Sequence, residues 1–221
     1  MITAVVLTDG RRECITRSVA SLEHLRGPVS VRMIHDDSGD PAYAAWLWDR
    51  FPGWVVHSTP ERSGFAGAVR SARQWLARYD RNPYVWWHED DFVITRTVDL
   101  PAMCDVLSDD INLVQLALRR QPWNDSERAA GGIVEQHPDA YYEIRDSGRA
   151  WLEHRRFYTT NPHLTRRGVL TDTDWPTGAE SEGRYGLALF ANPRLRAGFW
   201  GARDSGEWCE HIGHTRAGTG Y

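Results

Sequence analysis

The stretch Tyr84-Val85-Trp86-Trp87-His88-Glu89-Asp90-Asp91-Phe92-Val93-Ile94-Thr95 decides how this chain is read. It opens apolar and aromatic, as a buried strand does, then sets three acids side by side before turning apolar again. Adjacent carboxylates repel one another and are costly to desolvate, so a purely structural core does not select them. Oxygen-rich clusters at the C-terminal end of a strand suit a hard divalent cation, Mg2+ or Mn2+, that also grips a phosphate. Alone, the triplet reads equally as a solvated turn after an edge strand. The flanking sequence decides between the two.

Upstream, Ile2 to Leu7 is continuous and β-branched, the pattern of a buried strand, and it ends in the turn Thr8-Asp9-Gly10-Arg11 before a helix expected over Glu13 to Leu25. A second strand, Val29 to Ile34, leads into His35-Asp36-Asp37-Ser38-Gly39-Asp40, where an acid suits a ribose hydroxyl, a base N–H or simply a turn. Trp46 to Phe51 reads as helical and Trp54 to Ser58 as a third strand. The run Arg62-Ser63-Gly64-Phe65-Ala66-Gly67 opens a helix to about Tyr79 with small residues that let the backbone approach a phosphate. This βαβαβαβ order places ligand-type loops on one sheet edge, as in nucleotide-binding α/β proteins.

Downstream the order changes. A helix is expected over Pro101 to Leu107 and a strand over Ile111 to Leu118. Arg119 to Asp139 reads as a long polar loop, a binding lid or a disordered segment. Phe157 to Leu164 reads as a strand running into a turn, with a helix from near Thr165, and a helical face follows Glu180 and Glu182. No internal repeat or linker divides the 221 residues, so one domain is expected, with residues 1–95 as the nucleotide-binding half and 96–221 as the acceptor-binding and catalytic half.

Composition removes several classes. A net charge of −4 supplies no global basic field for nucleic acid or membrane. Every basic side chain except histidine is arginine, so a P-loop, a Schiff-base lysine and a kinase-type lysine are absent. Cys14, Cys104 and Cys209 form no C-x-x-C pair, which argues against a zinc ribbon or disulfide framework. The first residues lack a signal peptide's basic lead-in, and no apolar run approaches the ~20 residues of a membrane span, so a cytoplasmic protein is expected.

The strand exit Val5-Val6-Leu7-Thr8, Asp36-Asp37-Ser38, the helix start Arg62-Ser63-Gly64 and Glu89-Asp90-Asp91 together resemble the GT-A glycosyltransferases, particularly family-2-like enzymes that use a nucleotide-diphosphate sugar. The likeness runs over most of the chain and is strongest from Ile2 to Ile94. It implies a GT-A, Rossmann-like three-layer α/β sandwich around a mainly parallel sheet. It also implies a nucleotide-sugar site of Thr8, Asp9, Arg11, Asp37, Arg62, Gly64, Glu89, Asp90 and Asn161, a UDP-sugar donor, and Mn2+ or Mg2+ held by Asp91 and His214. The triplet resembles the family's D-x-D element, Thr160-Asn161-Pro162 its closing loop, and Cys209-Glu210-His211-Ile212-Gly213-His214 its C-terminal histidine segment.

Two departures stand out. The family often carries asparagine where Arg62 and Arg70 stand, and its Glu-Asp base motif is replaced by Ala179-Glu180-Ser181-Glu182-Gly183-Arg184. Inverting transfer needs a carboxylate within reach of the acceptor hydroxyl, which points to Glu182 and then Glu180, although acids also favour helix N-termini for their dipole. Arginines such as Arg62 or Arg216 would stabilise leaving-group charge. The acceptor is open between a saccharide, a small molecule and a hydroxymethylated base in phage DNA. The last is suggested by Arg119-Arg120, Arg155-Arg156 and Arg166-Arg167 near Trp123, Trp151 and Tyr158. Rival classes are a sugar-nucleotide nucleotidyltransferase, given the literal His211-Ile212-Gly213-His214, and a catalytically inactive nucleotide-sugar binding module.

Overall fold

The computed structural model describes residues 1–213. In chain order the elements are β1 (Ile2–Thr8), α1 (Arg12–Ser21), β2 (Leu25–Arg26), β3 (Val29–Asp36), α2 (Pro41–Arg50), β4 (Val55–Ser58), α3 (Gly64–Tyr79), β5 (Tyr84–Glu89), β6 (Phe92–Ile94), β7 (Val98–Asp99), α4 (Leu100–Asp109) and β8 (Leu113–Ala117). They continue with α5 (Asp125–Ala130), β9 (Tyr142–Asp146), β10 (Arg149–His154), β11 (His163–Arg166), α6 (Arg167–Thr171), α7 (Ser181–Phe190), β12 (Arg196–Trp200) and β13 (Cys209–His211).

Among the described residues nine strands form the central sheet, in the order β4-β3-β1-β5-β11-β8-β12-β10-β9. β1, β3, β4 and β5 pair in parallel, as do β8 and β12, whereas β11 runs antiparallel to both β5 and β8, and β10 to both β12 and β9. The sheet is therefore mainly parallel in direction, with β10 and β11 reversed. Two short ladders lie beside it, β13 on β6 and β2 on β7.

The strand pattern explains the layers. Alternate β5 side chains enter opposite faces, so Trp86 packs with α4 residues such as Met103 and Leu107 while Trp87 packs with Val69, Ala72 and Leu76 of α3. Both indoles are essentially inaccessible. Each such burial contributes on the order of 4–6 kcal/mol as an upper estimate. A third cluster seats α1 and α2 through Ile15, Tyr43 and Leu47 against Val6 and Ile34. Helices thus cover both faces, giving the three-layer α/β sandwich.

The first half follows its pattern closely, with α2 starting earlier than expected because Pro41 occupies its first turn and Asp40 caps it through Ala42 N at 2.8 Å. The second half corrects the sequence reading in two places. Phe157–Pro162 is not a strand: the strand follows it at His163–Arg166, and the helix begins at Arg167. Pro162 offers no ladder N–H, and side chains take over the backbone pairing before it, with Thr159 N donating to Gln115 Oε1 at 3.0 Å. The polar stretch 119–139 contains α5, capped by Asn124 through Glu127 N at 2.8 Å and closed by left-handed Gly131.

Candidate active site

The carboxyl ends of β1, β3 and β5 lie side by side, and the turns leaving them build the site. β5 ends at Glu89, and Asp90 and Asp91 form the tight turn into β6. The backbone N–H of Asp90 donates to Leu7 O at 2.9 Å, tying that turn to the end of β1. Thr8 then donates its hydroxyl to Asp90 Oδ2 at 2.7 Å, and the Tyr43 hydroxyl lies 2.7 Å from Thr8 Oγ1. A relay from Tyr43 through Thr8 to Asp90 therefore anchors the acid from below.

Arg11 holds the acids from the front. Its Nη1 donates to Asp91 Oδ2 at 2.8 Å, its Nη2 to Asp90 Oδ1, and its Nε to Asp9 Oδ1 at 3.2 Å. Arg62 donates to the other oxygen of Asp9 at 2.6 Å. Burial pushes the Asp90 carboxyl up to about 7, with Arg11 opposing the rise and Asp91 adding to it. Burial also raises Asp91, but hydrogen bonding from His211 and Arg11 outweighs it and holds that carboxyl at about 2. Asp91 is thus a fixed anion beside an acid that titrates near neutrality.

Asp37 and Gly64 belong to one local device. The buried Asp37 carboxylate accepts from Ser63 N at 3.0 Å, Gly64 N at 2.8 Å, the Ser63 hydroxyl at 2.5 Å and the Thr59 hydroxyl at 3.2 Å. It therefore caps α3 from across the sheet, a role that Ser63 itself does not fill. Gly64 opens the helix at φ +73, a conformation that disfavours a side chain.

β13 supplies the opposite wall. Its pairing with β6 sets His211 opposite Phe92, and Ile212 N donates to Asp91 O at 2.7 Å. The Gln121 amide holds the His211 backbone on both sides, at 2.8 and 2.9 Å, while the Trp123 ring packs edge-on against the imidazole. His211 Nε2 then stands 3.4 Å from Asp91 Oδ2. The histidine brought to Asp91 is His211; His214, the residue expected there, lies outside the described residues, as does Arg216.

A second carboxylate centre lies beyond Glu89. Thr160 donates to Glu182 Oε2 at 2.9 Å. Burial raises the Glu182 carboxyl, against the hydrogen bonds from Thr160 and Thr159. Burial raises Glu89 well above the usual range as well; the charges of Asp91 and Glu182 add to the rise and Thr160 opposes it. Both side chains are partly open at the floor of a cleft yet walled in by protein. Glu180 is exposed in a left-handed conformation at φ 56 just before α7, strain of a kind that clusters at functional sites. Asn161 sits in the same turn as Thr160, with its carbonyl 2.7 Å from His163 Nδ1, outside the lining of both clefts.

Those clefts adjoin. A narrow one of about 70 Å3 is lined by Thr8, Asp9, Arg11, Asp37, Arg62, Gly64, Glu89 and Asp90. A wider one of about 630 Å3 lies between the starts of α3 and α7, lined by Arg70, Glu180 and Glu182 among others. Arg62, Gly64 and Phe65 line both. Eight of the residues expected around a nucleotide sugar therefore share one pocket that opens towards the expected base. Sequence reasoning missed His211 as the partner of Asp91, and it missed Thr159 and Tyr43; the capping of α3 by Asp37 carried no local signal.

The arginine pairs are largely committed elsewhere. Arg119 donates to Ala202 O and Arg203 O, Arg155 to Phe190 O, Asn192 O and Leu195 O, and Arg166 to Ile111 O and Leu113 O. Arg120 pairs with Glu127 at 2.7 Å. Trp151 and Tyr158 are buried. These contacts commit several of the side chains that suggested a DNA acceptor, while Trp123 stays exposed.

No family model and no curated protein matches the sequence. Solved structures do match. A mannosyltransferase from Pyrobaculum calidifontis, solved with GDP-Man and Mn2+, superposes with a TM-score of 0.65 at 15% identity, over 98% of this chain and 58% of that one. TarS 1-349 from S. aureus superposes at 0.61 with 14% identity over 96% and 60%, and its complex with UDP at 0.60 with 15% identity over 95% and 59%. This chain thus spans about three-fifths of the length of those solved chains, and 36% of TarS itself. The fold is that of the GT-A-type glycosyltransferases.

Proposed function

We propose that the chain transfers a sugar from a nucleoside-diphosphate donor, with UDP-sugars the first candidates, to an acceptor hydroxyl with inversion. The observation that carries this reading is the convergence of two centres on one groove. The acidic turn with its arginines lies at one end, and a buried glutamate of raised proton affinity at the other.

A divalent cation fits the first centre. Asp91 Oδ1 is buried with no hydrogen-bond partner among the described residues, and the carboxyl is ionised. Asp91 and His211 would hold the ion. No group of three His, Cys, Asp or Glu that could hold an ion lies among the described residues, so diphosphate oxygens and water would have to supply its remaining positions. When bound, the ion supplies positive charge to the leaving diphosphate.

The protein's own groups account for the remaining roles. Arg62 lines both clefts and offers a bidentate fork to a phosphate. The Ser63 and Gly64 N–H groups at the start of α3 are already held by Asp37, so contact with a phosphate there falls to Arg62. Glu182 is the base: a carboxylate raised towards the working pH accepts a hydroxyl proton more readily than an ordinary one. Thr160 fixes its Oε2 at 2.9 Å, which orients the carboxylate towards the acceptor cleft that it lines. The wider cleft is the acceptor site, and a saccharide or small molecule fits it better than duplex DNA. Among the described residues no helix is long and apolar enough to cross a membrane.

The test measures nucleotide release from UDP- and GDP-sugars with Mn2+ or Mg2+, in wild type and Asp91→Asn. Release in wild type and its loss in the variant support the reading. Nucleotide binding without release would indicate an inactive binding module, and sugar-nucleotide synthesis from a sugar phosphate and nucleoside triphosphate would indicate a nucleotidyltransferase.

A further inference from the structure

We propose that Arg11 is the internal counter-ion of the acidic turn: it excludes a divalent ion from Asp91 until the donor's diphosphate draws its guanidinium away. This positioning role rests on the nucleotide-sugar reading above and adds an order to it.

The geometry has three parts. First, one guanidinium grips Asp9, Asp90 and Asp91 together, with Nη1 on the Asp91 oxygen that His211 also approaches. A cation reaching Asp91 therefore meets a positive charge already seated on that carboxylate. At an effective dielectric near 20, a guanidinium ~4 Å from a divalent ion offsets about half of the attraction that one coordinating carboxylate ~2 Å away offers.

Second, the grip is releasable. The Arg11 side chain is 24% exposed and lines the narrow cleft, so its departure needs no unfolding. Each carboxylate that it leaves keeps another partner: Asp9 keeps Arg62 at 2.6 Å, Asp90 keeps the Thr8 hydroxyl at 2.7 Å, and Asp91 keeps His211 at 3.4 Å. Asp91 in addition carries a buried Oδ1 with no hydrogen-bond partner among the described residues, so it is the position that a cation would refill.

Third, the two ligands trade partners favourably. A diphosphate is a better bidentate acceptor for a guanidinium than separate carboxylates, and it brings oxygens that complete the ion's coordination. The ion and the nucleotide then enter as a unit, because each removes the obstacle to the other.

The experiment measures Mn2+ binding directly, by the EPR signal of free Mn2+ and by calorimetry, with and without UDP or GDP. Wild type, Arg11→Ala and Arg11→Lys are compared after circular dichroism confirms folding. Wild type is expected to bind Mn2+ alone weakly and at least tenfold more tightly with nucleotide. Arg11→Ala is expected to bind Mn2+ alone at least tenfold more tightly than wild type. With Mn2+ saturating, it should bind the nucleotide about 10–100-fold more weakly, the loss of one charge-assisted contact. Arg11→Lys, which keeps the charge but reaches a single carboxylate, falls between and serves alone if the alanine variant does not fold. A merely structural arginine lowers both affinities and raises neither. No gain of Mn2+ binding in either folded variant, while nucleotide still recruits Mn2+ to wild type, overturns the proposal alone. Failure of every protein to take up Mn2+ even with nucleotide overturns it together with the metal reading.

Discussion

Replacing Asp37 separates a ligand role from an architectural one at a position where the sequence suggests the first and the structure displays the second. Its carboxylate receives two backbone N–H groups at the start of α3 and the hydroxyls of Ser63 and Thr59. In Asp37→Ala the Ser63 and Gly64 N–H groups lose their acceptor, and each donor left unpaired costs ~1–3 kcal/mol. Adding the lost hydroxyl contacts and the interaction with the helix dipole gives a destabilisation of roughly 3–5 kcal/mol, a large fraction of a domain's stability. Asp37→Asn keeps one acceptor oxygen but turns an NH2 towards the remaining donors, so about half of that loss is expected. Urea unfolding of wild type and both variants, with nucleotide affinity measured on the folded fraction, tests the reasoning. The expected pattern is graded instability, with the asparagine variant still binding nucleotide within about threefold of wild type. An asparagine variant as stable as wild type but unable to bind nucleotide refutes it, because Asp37 would then face the ligand rather than the helix.

Three further outcomes follow from the same contacts. Glu182→Gln should lower transfer by ~10^2–10^4-fold while leaving nucleotide affinity nearly unchanged, checked by turnover and by calorimetry with UDP. Gly213→Ala would place a methyl carbon 2.6 Å from Asp91 Oδ2, so Mn2+ uptake with nucleotide should fall at least tenfold with the melting temperature preserved. His154 is buried among Tyr141, Phe157 and Phe199, and burial lowers it to about 3. The folded state therefore carries fewer protons there than the unfolded chain. That contribution to stability is complete above the unfolded value near 6.5 and is lost as pH falls, by ~2 kcal/mol at pH 5. His154→Phe should accordingly raise the melting temperature at pH 5 relative to wild type and change it little at pH 8; equal shifts at both would sink the argument.

Legibility followed the locality of the signal. β1, β3, β4 and β5 announce themselves because parallel strands buried on both faces read as apolar runs, and the acids at their ends interrupt those runs. The hairpin β9–β10 went unread although its turn, Ser147-Gly148, is a recognisable two-residue loop with positive φ at both positions. Its outer strand carries mixed charge, Tyr142-Glu143-Ile144-Arg145-Asp146, because β9 forms the edge of the sheet, so its alternation is faint. Thr160 is legible as part of a closing loop and Glu182 as an acid ahead of an apolar helical face. Their meeting is not, since it depends on where a reversed strand is inserted. The same limit applies to His211: a C-terminal histidine segment is legible, but which histidine meets Asp91 is set by the register of β13 on β6.

The reversed strand explains why the base can lie near the donor at all. Had β11 run parallel to β5, its entry turn would lie at the opposite edge of the sheet, away from Glu89. Because it runs antiparallel, with His163 opposite Trp87, residues 159–162 continue past the end of β5 and arrive where the acids leave it. Thr160 is thereby set between Glu89 and Glu182, and α7 is anchored at its start rather than its end. β8 and β12 share the direction of β5, so Gln121 and the segment after Trp200 also emerge on this edge, where Gln121 fixes His211. One topological reversal thus gathers chemistry from both halves of the chain at the crevice beyond the parallel strands, the position where open α/β sheets bind their ligands. A change that shifted the β11 register by two residues would move Thr160 by about 7 Å, more than a hydrogen bond's reach, and would uncouple Glu182 from the groove without touching either carboxylate.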